Sequence, residues 1–350
     1  MKKILFILQS LSSGGAERVI SVLTETLSSK EQYEISVLTL FNSGDFYSLS
    51  DKVKLSRLNG ESDSKLKTIL RIREFVKNYK PDTLISFQCH VNVKVLLAVL
   101  GKQKYKKIVS ERNDPAVWKD RKLLDWLRNR LYKTCDCVVF QTEDARDYFP
   151  NEIRKSSVVI PNPIKDDLPE PWTGERKKTI VNFCRLAPQK NLKLLIDSFE
   201  LFMQSFPEYV LEIYGDGPDR GTIDEYVIEK ELQNKVYVYP AVSDIHSRII
   251  DAGMFVSSSD YEGLSNSMLE AMAIGLPVIC TDCPCGGAKM VIENNVNGVL
   301  VPVNDKDKMA QAMMKIAGDD GFARKLGVAA SSIRMKLHRD NIAQEWEIII

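Results

Sequence analysis

The stretch SSSDYEGLSNSMLEAMAIGLPV, residues 257–278, carries two glutamates, Glu262 and Glu270, on either side of a glycine-bearing turn. The pattern after the turn predicts a helix starting near Asn266 or Ser267. Unpaired N–H groups at a helix start attract anions, so the amides of Gly263, Leu264, Ser265 and Asn266 would cradle a diphosphate. Neither glutamate can usefully face phosphates, because like charges repel. Each carboxylate does have two oxygens for a vicinal diol. A ligand with a diphosphate in the middle and diols on both sides is a nucleotide sugar. On that reading Glu270 holds the ribose and Glu262 the hexose. The same letters also read more plainly. SMLE, residues 267–270, matches a capping box in which Glu270 only ties down its own helix start, and Glu262 is then an exposed loop acid.

A second cluster is CRLAPQKN, residues 184–191, where Arg185 and Lys190 follow a strand-like run. Two cations there would neutralise a departing diphosphate, although basic loops are commonly just solvated. Position favours chemistry here. Both cations and both glutamates fall at predicted carboxyl ends of strands in one half, where doubly wound sheets bind ligands. Gly215 in YGDGP lets backbone approach a ligand closely or simply makes a tight turn. Val242 in PAVSD is placed to meet a base through backbone groups. In the first half, Gly14 and Gly15 follow the opening strand, and Gly15 would let an acceptor or phosphate near the backbone. No G-x-G-x-x-G occurs, which counts against a dinucleotide enzyme. His90 follows LISFQC, and a histidine without a catalytic role is the plainer reading there.

These residues need elements to hold them. Apolar runs such as KKILFIL, YEISVLTLF, DTLISFQ and CVVFQT alternate with helical patterns, among them KLKTILRIREFVKNYK and RKLLDWLRNRLYKTC. The rhythm predicts parallel sheets covered on both faces. IPNPIKDDLPEPWTGERKK, residues 160–178, interrupts it with four prolines and reads as a linker. After it the alternation resumes, with helices expected at 192–206, 219–232 and 266–274, a short one from Asp244 and another from Lys306. With 350 residues, two domains are expected. We place them at 1–168, completed by a C-terminal helix over 334–350, and at 176–333. The fold class is α/β, two doubly wound Rossmann-like domains facing a cleft.

Net charge is +1, but residues 1–170 carry 29 basic against 22 acidic side chains and the remainder 19 against 25. Within 91–133 the count is 12 against 4, with Trp118, Trp126 and several leucines interleaved. Such a face suits an anionic membrane, and nucleic acid is the rival partner for the same charge. The cleft chemistry argues against nucleic acid. The apolar run Ile4 to Leu8 is shorter than a signal-peptide core, and no run approaches the ~20 residues that span a bilayer, so a cytoplasmic protein is expected. Seven cysteines, several in apolar strands, read as reduced thiols rather than disulfides or a zinc site.

Taken together these motifs resemble family 4 of the retaining glycosyltransferases, which have the GT-B fold. The matching pieces are GGAER (14–18), SERNDP (110–115), IPNPI (160–164), RLAPQKN (185–191), YGDGP, the E-x7-E stretch and NNVNGVLVP. The resemblance implies that Arg185 and Lys190 hold the donor diphosphate, Glu270 binds ribose and Glu262 lies by the donor sugar. It also implies retention of configuration, with neither metal ion nor other cofactor. Many members carry a histidine near the donor sugar where this chain has SERNDP. Glu111, Arg112 or Asn113 would occupy that region instead, or His90 would serve. The SERNDP version looks like enzymes that add hexoses or N-acetylhexosamines to polyprenyl-diphosphate-linked glycans for capsule or exopolysaccharide. A nucleotide-sugar epimerase of the same fold and a non-catalytic nucleotide-sugar binder are the alternatives.

Overall fold

A computed structural model describes every residue except Ser13, Ser43, Lys102, Gln103 and Lys119. The chain divides into two compact units, Met1–Pro163 with Arg339–Ile350, and Ile164–His338. Each is a parallel sheet between helices, as the alternation of the sequence predicts.

The first sheet has seven strands: β1 (Lys2–Leu8), β2 (Tyr33–Thr39), β3 (Lys54–Arg57), β4 (Thr83–Phe87), β5 (Lys106–Ser110), β6 (Cys137–Phe140) and β7 (Ser157–Val159). Their order is β3-β2-β1-β4-β5-β6-β7. The interior strand β1 is apolar without alternation because both its faces are covered, and Ile4 to Leu8 are fully buried. Register is set by pairs such as Ile4 with Ile35 on one side and with Thr83 on the other. The longer helices that follow strands in this unit are α1 (Gly15–Ser28), α2 (Lys65–Tyr79), α3 (Cys89–Ala98) and α4 (Lys122–Tyr132). The sheet is completed from the far end of the chain. The helix Arg339–Ile349 buries Trp346 completely, stacked on Phe87 at 5.6 Å, and Thr83 Oγ1 donates to the Ile350 carbonyl at 3.0 Å.

The second sheet has six strands: β8 (Thr179–Phe183), β9 (Val210–Tyr214), β10 (Val236–Tyr239), β11 (Met254–Ser257), β12 (Val278–Thr281) and β13 (Val299–Val301). Their order is β10-β9-β8-β11-β12-β13. Strand order therefore reverses between β8 and β11. Loops leaving the two strands diverge there, which opens a crevice at their carboxyl ends.

The proline-rich stretch is fastened to this second unit over 164–178. Arg334 donates to the carbonyls of Pro169 and Leu168, and Arg176 to those of Ala252 and Gly275. The expected helix over 334–350 is broken. A turn ends at Lys336, Ile164 N donates to the Leu337 carbonyl at 2.8 Å, and the next helix starts at Arg339. No helix among the described residues is long and apolar enough to cross a membrane.

Candidate functional site

The reversal point of the second sheet collects the residues singled out by sequence. Residues 184–191 leave β8 and residues 258–265 leave β11. The two loops are laced together: Asp260 N donates to the Gln189 carbonyl at 2.9 Å, and Ser258 Oγ to the Lys190 carbonyl at 2.8 Å. Asn191 sits in the left-handed region at φ 42°, and its Nδ2 reaches Asp260 Oδ1 at 2.7 Å. Asparagine tolerates that conformation better than most residues. The result is a fixed geometry for two chemically opposed side chains. Lys190 Nζ forms an ion pair with Glu262 Oε2, with the side chains 16% and 19% exposed. Burial works to lower the Lys190 pKa, and the Glu262 carboxylate more than reverses it, so the ammonium is held above its ordinary range. Arg185 is exposed on the same loop and makes no ion pair among the described residues.

The helix after the E-x7-E turn runs Asn266–Ala273, with Ser265 as its N-cap accepting from Met268 N. The capping-box reading of Glu270 is thereby set aside. The cap lies two residues before Ser267, so Glu270 is too far along the helix to close it. Its buried carboxylate instead meets His246 Nε2 at 2.7 Å. Gly263 and Leu264 are buried against the loop after β12, where a Cβ on Gly287 would stand 1.9 Å from the Gly263 carbonyl oxygen. Only glycine fits there.

Gly215 makes its close approach to protein backbone. A Cβ would stand 1.9 Å from the Cys184 carbonyl oxygen, beside the Arg185 loop, and Gly217 meets Leu186 in the same way at 2.1 Å. Asp216 then accepts from Ala241 N at 3.0 Å, fixing the loop that carries half-buried Val242. The structure thus brings Arg185, Lys190, Glu262, Gly263, Leu264, Ser265, Asn266 and Glu270 onto adjoining elements. Gly215 and Val242 support them from β9 and β10.

In the first unit, strand order reverses between β1 and β4. Gly15 opens α1 after β1, and His90 lies in the first turn of α3 after β4. The His90 Nε2–H donates to Gln9 Oε1. Burial, helped by Lys94, pulls its pKa down to about 4, so the ring is neutral near pH 7. Glu111 faces inward at 3% exposure, accepting from Tyr132 OH at 2.6 Å; burial raises its pKa against the opposing charge of Arg128. Arg112 lies over the Phe87 ring at 4.6 Å and donates to Asn162 at 3.0 Å. Asn113 is half-buried.

Two sequence families match the chain in succession. "Glycosyltransferase Family 4" covers residues 13–168 and "Glycosyl transferases group 1" covers residues 165–332. The chain belongs to the family 4 glycosyltransferases. A Campylobacter jejuni relative is 26% identical over 99% of this chain and 97% of its own. Its name describes an α-1,4-N-acetyl-D-galactosaminyltransferase acting on a diphospho-undecaprenol-linked glycan. An uncharacterised glycosyltransferase of Haemophilus influenzae is 22% identical over the full length of both chains. Among solved structures, Staphylococcus aureus TarM, crystallised with UDP and an α-GlcNAc-glycerol, aligns over 100% and 99% of the two chains with a TM-score of 0.85 at 15% identity. Anabaena HepE with UDP-glucose aligns over 99% and 98% with a TM-score of 0.82 at 17% identity. The glycosyltransferase therefore has the GT-B fold.

Sequence reasoning missed His246 and Gly287. His246 lies on Ile245–Ile249, a helix too short to show a period. The CGGAK letters around Gly287 were available, but its need for glycine depends on a backbone distant in the chain.

Proposed function

We propose that this glycosyltransferase moves a hexose or N-acetylhexosamine, with retention, from a UDP-sugar to a glycan carried on a polyprenyl diphosphate, in surface-polysaccharide synthesis. The Lys190–Glu262 pair beside Arg185, at the reversal point of the second sheet, carries this reading. As the bond from the anomeric carbon to the diphosphate oxygen breaks, negative charge builds on the leaving group and the sugar becomes oxocarbenium-like. Arg185 and Lys190 meet that charge, each contributing about 2–4 kcal/mol by analogy with anion-hole donors. Glu262 lies by the sugar and Glu270 by the ribose. The two cations take the part a metal would otherwise play, so chelators should leave the rate unchanged.

The lipid-linked acceptor is supported by the named acceptor of the Campylobacter relative and by the surface of α4. Leu123 and Trp126 are 75% and 58% exposed there, among exposed Lys122 and Arg130. The Trp118 side chain lies outside the described residues. We place the enzyme in the cytoplasm, attached peripherally to the anionic inner face of the membrane, with no nucleic-acid partner. A panel of UDP-, GDP- and ADP-sugars in thermal unfolding tests the donor, because a ligand at 100 times its Kd stabilises by about 2.7 kcal/mol. Stabilisation by UDP-sugars alone is expected. Equal response to all three, or full transfer by both Glu270→Ala and Lys190→Ala, would overturn the assignment.

A further inference from the structure

We propose that His246 is the positioning residue for the ribose contact, acting through Glu270; this rests on the donor reading above. Glu270 and His246 are 7% and 5% exposed, and their side chains meet at 2.7 Å. A buried carboxylate costs heavily unless it is hydrogen-bonded, and an ionised one only accepts, so the Nε2 of His246 carries the proton. The imidazole is itself held in place. The Phe183 ring, at the end of β8, stands edge-on to it at 5.8 Å and 86°. The helix Ile245–Ile249, the end of β8 and the helix Asn266–Ala273 thus fix one carboxylate orientation between them. A carboxylate has about four acceptor positions, so a bond from the imidazole is compatible with a vicinal diol on the same group. Without the imidazole the acid would keep its place in the chain and lose its aim.

The test measures Kd for UDP and for 2′,3′-dideoxy-UDP with wild type, His246→Phe and His246→Gln, together with kcat and KM on the UDP-sugar that supports transfer. The glutamine amide nitrogen can stand where Nε2 stands, while phenylalanine keeps the ring and drops the donor. Wild type should bind UDP about 10- to 100-fold more tightly than the dideoxy nucleotide, the range for hydrogen bonds to a charged group. His246→Phe should lose most of that preference and raise KM about tenfold with kcat changed less than KM, and His246→Gln should restore both. If His246→Phe does not fold, His246→Asn, whose amide falls short of the carboxylate, takes its place. A phenylalanine or asparagine variant with undiminished preference for UDP would overturn the proposal and leave the donor reading intact. A wild type indifferent to the two hydroxyls, or binding neither nucleotide, would remove the ribose role of Glu270 and the proposal with it.

Discussion

Three residues at the crevice differ in how much of the fold depends on them. Lys190 and Glu262 are largely withdrawn from water and held against each other, so removing one strands the charge of the other. Such losses run to about 3–5 kcal/mol. We therefore expect Lys190→Met and Glu262→Met each to lower stability in urea unfolding, and the double variant to be more stable than either single one. All three should be inactive in transfer. Arg185 is exposed, and Arg185→Ala should change stability by no more than about 0.5 kcal/mol. It should nevertheless lower kcat about 10²–10³-fold if it meets the leaving diphosphate. His90 gives a pH signature. Its folded pKa of about 4 lies below the unfolded value near 6.5, so between those limits the unfolded chain holds the extra proton. Stability falls as pH drops through that window, by up to about 1.4 kcal/mol per unit. His90→Gln should flatten this part of the pH–stability curve measured by chemical unfolding.

The strand-end loops are held by backbone approaching backbone, and that is where glycines become indispensable. A methyl at Gly215 or Gly287 would collide with a carbonyl oxygen at 1.9 Å, and neither neighbour is a flexible side chain that could swing away. Gly215→Ala and Gly287→Ala should each cost a few kcal/mol. Both should also raise KM for the donor, because the first displaces the Arg185 loop and the second the Gly263–Leu264 backbone. Differential scanning calorimetry beside initial-rate kinetics checks the pair. The sequence revealed these elements unevenly. Long apolar strands and the loops at their ends were legible because burial on two faces leaves unbroken hydrophobic runs, and the charged residues of this enzyme sit directly after them. Short, partly exposed strands such as β3 and β7 leave no such run. The purpose of Glu270 was legible only as two competing readings. The choice between cap and contact depended on where the helix starts and on a histidine 24 positions away. Composition marked 160–178 as a linker, yet much of it is tied down by Arg176 and Arg334, and composition carries no sign of such long-range partners.

Two properties belong to the molecule as a whole. One is the charged, partly apolar surface at α4. If it meets an anionic bilayer, attachment should weaken as salt rises, and Leu123→Ser with Trp126→Ser should abolish it without loss of folding, since both side chains are already exposed. Sedimentation with vesicles containing anionic lipid, at low and high salt, reads this directly. The other is the dependence of the first unit on residues 339–350. Trp346 is fully buried against Phe87, and truncating such an aromatic to alanine should cost about 3–5 kcal/mol, seen as a lowered Tm. Residues 339–350 are made only after the whole of Ile164–His338, so synthesis order and spatial order disagree. During translation the second unit has its complete chain in hand while the first still lacks a wall. Domains generally fold as they emerge, N-terminal first. In this protein the unit Ile164–His338 should reach its native state on the ribosome ahead of the unit that precedes it, leaving the earlier one dependent on chaperones until Arg339–Ile350 is released.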